Sequence, residues 1–297
     1  MKILVSGARG LVGEALIKAL VKDGHKISSL VRRATKGESE IEWHPNDGQL
    51  DVTKLEGFDI VVHLAGESIA SGRWTDEKKK KIVDSRVQGT TLLSKSLASL
   101  AQPPATFICA SAIGYYGNRG DELLTEQSTR GNDFLSEVCV EWEKSTTAAE
   151  AQGIRTVHAR FGIILDKDGG ALKQMLTPFR MGVGGKVGDG KQWMSWIALA
   201  DVISGLEYVI DKPSVKGAVN FVAPYPVTNA EFTKVLGRAL SRPTFLPVPA
   251  FAARLAFGEM ADELLLSSAK VQPKVLREHG FEFEFPTLQG ALQTILK

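Results

Sequence analysis

Two cysteines, Cys109 and Cys139, are all that this chain of 297 residues contains. Both stand in apolar or helical surroundings, so a disulfide framework is excluded and a reducing compartment fits. Net charge is equally scarce. The formal value of +2 is too small to argue for nucleic acid or an anionic membrane surface. No apolar run approaches the roughly 20 residues that a membrane span needs, and the first one stops at Ser6-Gly7, too soon for a signal peptide. A cytoplasmic protein with no nucleic-acid, membrane or metal partner is expected. The basic run Lys78-Lys79-Lys80-Lys81 reads as the solvated face of a helix that begins near Thr75-Asp76-Glu77. What the chain does have is core-forming material. It is 43% hydrophobic and 24% charged, which sets it among packed globular proteins and apart from disordered ones.

The most informative stretch is the first. Lys2 to Ser6 reads as a short buried strand. Gly7, Gly10 and Gly13 follow at intervals of three, and Leu11, Ala15, Leu16, Ala19 and Leu20 carry a helical pattern. Strand, glycine turn and helix start come in the order a dinucleotide needs. Gly7 allows the tight turn, Gly10 lets backbone approach a pyrophosphate, and Gly13 lets helix and strand pack. The N–H groups of Leu11 and Val12 at the helix start face the phosphates. In NAD-binding domains of this type an acidic residue about 20 positions further on holds the adenosine ribose. No carboxylate stands there. Arg32 and Arg33 lie 19 and 20 residues beyond Gly13, and a planar guanidinium suits a 2′-phosphate. With Arg9 inside the turn, these residues favour NADP(H) over NAD(H).

Strand and helix alternate through residues 1–165: Lys26–Val31, Glu40–Trp43, Asp59–Leu64, a helix over 76–100, Thr106–Ala110, a helix over 133–152, and Ile154–Arg160. That alternation demands a Rossmann-type α/β fold, a doubly wound parallel sheet. Residues 1–167 are assigned to the NADP(H)-binding domain. Residues 168–297 form substrate-side segments and a small C-terminal lobe, with some elements returning to the core. Strand ends at Ala65-Gly66-Glu67 and at Ser111 mark the carboxyl edge where such ligands bind. His63 reads as a packed core residue. Arg160, closing the last of these strands, is placed in the cofactor site.

Several motifs together carry a resemblance: His63-Leu64-Ala65-Gly66-Glu67, Ser85-Arg86, Ser111-Ala112-Ile113-Gly114-Tyr115-Tyr116-Gly117, Gln192-Trp193-Met194-Ser195-Trp196-Ile197 and Gln272-Pro273-Lys274-Val275-Leu276. With the glycine turn, they resemble the atypical short-chain dehydrogenase/reductases of the epimerase family, over essentially the whole chain. The resemblance implies an extended Rossmann fold and NADP(H). It also points to a small-molecule substrate, such as a nucleotide sugar or another carbonyl or hydroxyl compound. Relatives often dimerise through the helices near 76–100 and 133–152, so a homodimer is implied by analogy. The usual Tyr-x-x-x-Lys reaction pair is missing. Leu135 takes the tyrosine place and Cys139 the lysine place, next to the nicotinamide ribose. The candidates left for chemistry are Tyr115 or Tyr116 as proton donor, Ser111 as carbonyl partner and Arg86 as the replacement cation. An oxidoreductase or epimerase with rearranged acid/base groups is favoured over a non-catalytic NADP(H)-binding regulator or scaffold.

Overall fold

Fully buried parallel strands need apolar residues on both faces, so they read as unbroken apolar runs. The computed structural model, which describes residues 1–297, bears this out at β1 (Lys2–Ser6) and β5 (Ile60–His63). Ile3, Val5, Ile60 and Val62 go to one core cluster, where they meet Leu16, Leu20, Val202 and Leu206. The intervening Leu4 and Val61 go to a second, where they meet Leu93, Leu97 and Trp142. Helices α1 (Leu11–Lys22) and α6 (Leu199–Asp211) therefore cover one face. Helices α2 (Asp76–Ala98), α3 (Phe134–Lys144) and the short α4 (Thr147–Ala151) cover the other.

The sheet also contains β2 (Lys26–Val31), β3 (Glu40–His44), β4 (Gln49–Leu50), β6 (Thr106–Ala112) and the strands Arg155–Phe161 and Gly217–Phe221. Seven strands are parallel, in the spatial order Gly217–Phe221, Arg155–Phe161, β6, β5, β1, β2, β3. The eighth, β4, is added antiparallel at the edge. Strand order reverses beside β1, whose two neighbours are β2 and β5. In such sheets the crevice that accepts ligand opens there, above the carboxyl ends.

The helix expected over 133–152 is broken in two at Ser145 and Thr146. The strand Gly217–Phe221, drawn from beyond residue 167, pairs with Arg155–Phe161 over five residues. A third cluster of 14 buried residues holds together α5 (Gly170–Arg180), α7 (Asn229–Ala239) and α10 (Leu288–Ile295). Thr228 caps α7 by accepting the N–H of Glu231, as a capping box requires. Helices α8 (Ala250–Phe257) and α9 (Lys274–Glu278) complete the lobe. Buried Asp201 ties the tail to the core by accepting the N–H groups of Glu284 and Phe285. No helix is long and apolar enough to cross a membrane.

Candidate functional site

The three glycines have three different reasons. Gly7 sits at φ +72°, and a Cβ there would lie 2.7 to 2.9 Å from the backbone of Leu64 and Ala65. A Cβ on Gly13 would stand 2.3 Å from the Gly7 carbonyl oxygen. Both positions are closed by the protein's own packing. At Gly10 the only near atom is that same oxygen, at 3.3 Å, so the outer side of the turn is open. Gly10 is also the N-cap of α1, and no side chain caps the helix. Its first N–H groups, at Leu11 and Val12, remain available to an anion.

Ser6 pins the two strands that flank the crevice. Its hydroxyl oxygen accepts the N–H groups of Leu64 at 3.1 Å and Ala65 at 3.3 Å. Its single proton therefore goes to His63 Nδ1, 2.6 Å away. This fixes His63 as the Nε2–H tautomer, with that nitrogen unpartnered and the ring between Trp43 and Phe107. Burial pushes the His63 pKa down to about 4. It is a neutral core residue.

At the adenosine end the arginine pair divides. Arg33 is bound in a fork to Glu40, with N–O distances of 2.5 and 2.8 Å. The bonded carboxylate raises the guanidinium pKa. Arg32 and Arg9 are exposed, and neither has a carboxylate partner. The charge expected from both Arg32 and Arg33 thus comes freely only from Arg32 and Arg9.

Next along the edge, the Glu67 N–H donates to Ser85 Oγ at 3.0 Å. The Glu67 carboxylate accepts Lys78 Nζ at 2.6 Å, and that bond pulls its pKa below the usual range. The lysine run was expected to be a solvated face, and half of it is not. Lys78 turns inward to Glu67, and Lys79 reaches Glu259 of the lobe at 2.8 Å. Lys80 and Lys81 pair with Asp84 and Glu77 on the helix surface. Arg86 is half-buried and has no carboxylate partner. It donates to the Ile82 carbonyl at 3.0 Å and lies over the Trp142 ring at 4.9 Å. Its guanidinium carbon is 3.5 Å from where a Cβ on Gly66 would stand. Burial draws its pKa below the ordinary arginine value.

The reaction end of the crevice differs from the expectation. Ser111 donates to Glu143 Oε1 at 2.7 Å. The same carboxylate takes Arg160 Nε and Nη2, both at 2.7 Å. Arg160 Nη1 donates to the Tyr116 oxygen at 3.0 Å. Tyr116 donates to Asn220 Oδ1 at 2.7 Å, and Asn220 donates to the Gln272 carbonyl at 3.0 Å. Ser111, Tyr116, Arg160 and Asn220 are all buried.

The network ties up several of the expected site residues. Burial pushes the Tyr116 phenol up to about 12, and its proton is held by Asn220. All the nitrogens of Arg160 are engaged inside the protein. For Arg160 burial opposes the charge, but Glu143 more than offsets this and holds the pKa above the ordinary value. Ser111 gives its proton to Glu143 and offers no free donor to a carbonyl. Leu135 and Cys139 pack on Gly114, whose Cβ would lie 3.3 and 3.6 Å from them. Burial raises the Cys139 thiol to about 12, so it is a neutral apolar filler. Tyr115 alone keeps an unbonded hydroxyl. It is half-buried, and its ring is stacked 3.5 Å from the Arg160 guanidinium carbon. Sequence reasoning missed Glu143. The signal available was its place one helical turn after Cys139, on the stripe Leu135–Cys139–Glu143.

A glycine cradle at the switch point, with arginine in place of the ribose acid, agrees with comparison to known proteins. Residues 3–222 match the model of the NAD dependent epimerase/dehydratase family. The chain belongs to that family. Residues 248–295 match a further family model, a domain of unknown function. Within this epimerase family, the chain is 42% identical to an epimerase family protein of Mycobacterium bovis, over 98% of this chain and 96% of the relative. Among solved structures it resembles the human epimerase family protein SDR39U1 crystallised with NADPH. The TM-score is 0.91 at 33% identity, covering 99% of both chains. It also resembles a nucleoside-diphosphate sugar epimerase from Corynebacterium glutamicum, with TM-score 0.83 and 36% identity, covering 100% of this chain and 58% of that one.

Proposed function

We propose that the chain is an NADP(H)-dependent oxidoreductase or epimerase in which groups from other elements stand in for the missing tyrosine–lysine pair. The open turn at Gly10, the free Arg9 and Arg32, and the NADPH held by the human relative support the cofactor. The α1 N–H groups of Leu11 and Val12 face its phosphates, and Arg32 with Arg9 binds the 2′-phosphate. The coenzyme, when bound, supplies or accepts the hydride.

The observation that carries the catalytic half is Arg86. It is a half-buried guanidinium beside Gly66 and Cys139 with no carboxylate and most of its five N–H donors unused. A partly desolvated charge of this kind favours an electron-rich ligand. It supplies, from α2, the positive charge that the lysine place on α3 lacks, donating to ribose hydroxyls or to the substrate oxygen. Tyr115 is the proton donor. The substrate is a small carbonyl or hydroxyl compound, and the Corynebacterium relative's description narrows it towards nucleotide sugars.

The test is NADPH consumption over a panel of carbonyl compounds, nucleotide-linked keto sugars included. Tyr115→Phe should lower the rate about a hundredfold and leave NADPH affinity intact. An unchanged rate would remove Tyr115 from the reaction. The second reading, an NADP(H)-binding regulator without turnover, is favoured by one observation, the closed bond from Ser111 to Glu143. It predicts tight, redox-selective coenzyme binding with no consumption on any member of the panel.

A further inference from the structure

Large apolar side chains exposed to water are unevenly placed on this molecule. None lies on α2 or α3. Instead they gather on two segments of the lobe, residues 181–183 and 245–257. Phe245 is 87% exposed, Leu255 77%, and Phe251 and Met181 72% each.

Backbone contacts make these segments one surface. Arg242 Nε donates to the Arg180 carbonyl at 2.9 Å. The Val248 N–H donates to Lys186 at 2.8 Å, and the Gly188 N–H to Val248 at 2.9 Å. Gly185 lies flush against Leu246, where a Cβ would come within 1.7 Å of the Leu246 carbonyl oxygen. Pro243, Pro247 and Pro249 bracket the exposed pair Phe245-Leu246 and stiffen the loop that carries it. Phe251 and Leu255, four apart, share the outer face of α8.

Unpaired cations dominate the charge around this apolar tip. Lys234, Arg238 and Arg242 line a depression of about 310 Å³ that ends at Phe245. Arg180 and Lys186 flank it from the facing segment. None of these five cations has a carboxylate partner. The nearby carboxylates are Asp189, which accepts the Lys191 N–H, Glu231, in the first turn of α7, and Glu259, paired with Lys79. Asp262 beside α8 is neutralised by Arg254 at 2.9 Å. The net charge of +2 averages this patch away.

We propose that this face of the lobe docks peripherally on an anionic phospholipid surface. Phe245, Leu246, Phe251 and Leu255 enter the headgroup–acyl boundary, and the cations meet lipid phosphates. A second copy of the chain fits poorly, because a two-fold contact would set like charges against one another. Projecting aromatic tips on a proline-braced loop suit a fluid phase, which needs no matching groove.

Sedimentation of the full chain with vesicles tests this. Vesicles of phosphatidylcholine and phosphatidylglycerol at about three to one should pull down at least tenfold more protein than phosphatidylcholine alone, and about 0.3 M salt should reverse it. Arg238→Glu with Arg242→Glu should cut the partition about tenfold or more, and Phe245→Ser with Leu246→Ser should reduce it severalfold. NADPH affinity should stay unchanged in both, showing that the fold is intact. Absence of pelleting with either vesicle, or pelleting indifferent to both variants, overturns the proposal. So does light scattering that finds a dimer which the Phe245/Leu246 variant dissolves, since that assigns the face to a second copy.

Discussion

The two ends of the crevice handle polar groups in opposite ways. Around the glycine turn, groups that a folded protein ordinarily satisfies are left free: the first N–H groups of α1, Arg9, Arg32 and, further along, Arg86. Beyond β6 the surplus shrinks to the Tyr115 hydroxyl and one buried oxygen of Glu126. Ser111, Glu143, Arg160, Tyr116 and Asn220 use one another up in an unbroken chain of hydrogen bonds. Unspent donors at a concave edge mark where a ligand completes the structure. A closed network marks where the protein has already completed itself. By that measure the amino half is open to a ligand and most of the region beneath the expected catalytic centre is occupied with itself, with Tyr115 and Arg86 at the boundary.

The contrast is most sharply broken at Arg160. Replacing it by alanine strands the Glu143 carboxylate in the interior, and urea unfolding should show a loss of about 3–5 kcal/mol. Combining Arg160→Met with Glu143→Leu should restore most of that loss. If Arg160→Ala costs under about 1 kcal/mol, the network is not scaffold. Gly13→Ala, with its Cβ only 2.3 Å from a carbonyl oxygen, should abolish NADPH binding in calorimetry and lower stability as well. Gly10→Ala, with more room, should weaken binding while leaving the unfolding midpoint nearly unchanged.

A smaller effect belongs to His63. Its folded pKa is depressed to about 4 from an unfolded value of about 6.5. It is neutral in both states at pH 7. Between those two values only the unfolded chain takes the proton, so stability falls as pH drops, by up to about 1.4 kcal/mol per pH unit. A His63→Gln variant should flatten that slope in denaturation curves taken from pH 7 to pH 4. Smallest is the separation of the two arginines. Arg32→Ala should weaken NADPH about tenfold or more and spare NADH, since a hydrogen bond to a charged group is worth about 1.5–3 kcal/mol. Arg33→Ala, already committed to Glu40, should do less. Equal losses for both variants would erase the distinction drawn at the adenosine end.

Much of the amino half was legible because it is local. The turn from Gly7 to Gly13, the arginines in place of an acid and the apolar runs of β1 and β5 each occupy a few consecutive residues and have one physical explanation. The other half is not local. Ser111, Tyr116, Glu143, Arg160 and Asn220 come from four places in the chain, and nothing in the neighbourhood of Tyr116 says that Asn220 waits for its proton. The same holds for Lys78. Four identical residues in a row read as one solvated face, yet the 3.6-residue turn sends the first to Glu67 and the second towards Glu259.

The shell around Arg160 also sets an order of assembly. The backbone contacts that close the turn at Gly7 reach only as far as Ala65. The Tyr116 oxygen that Arg160 reaches is held in turn by Asn220 and, through it, by the carbonyl of Gln272. As the polypeptide leaves the ribosome, the contacts of the glycine turn are therefore in reach long before the last link of the Arg160 network emerges. A nascent chain shorter than 272 residues lacks that link.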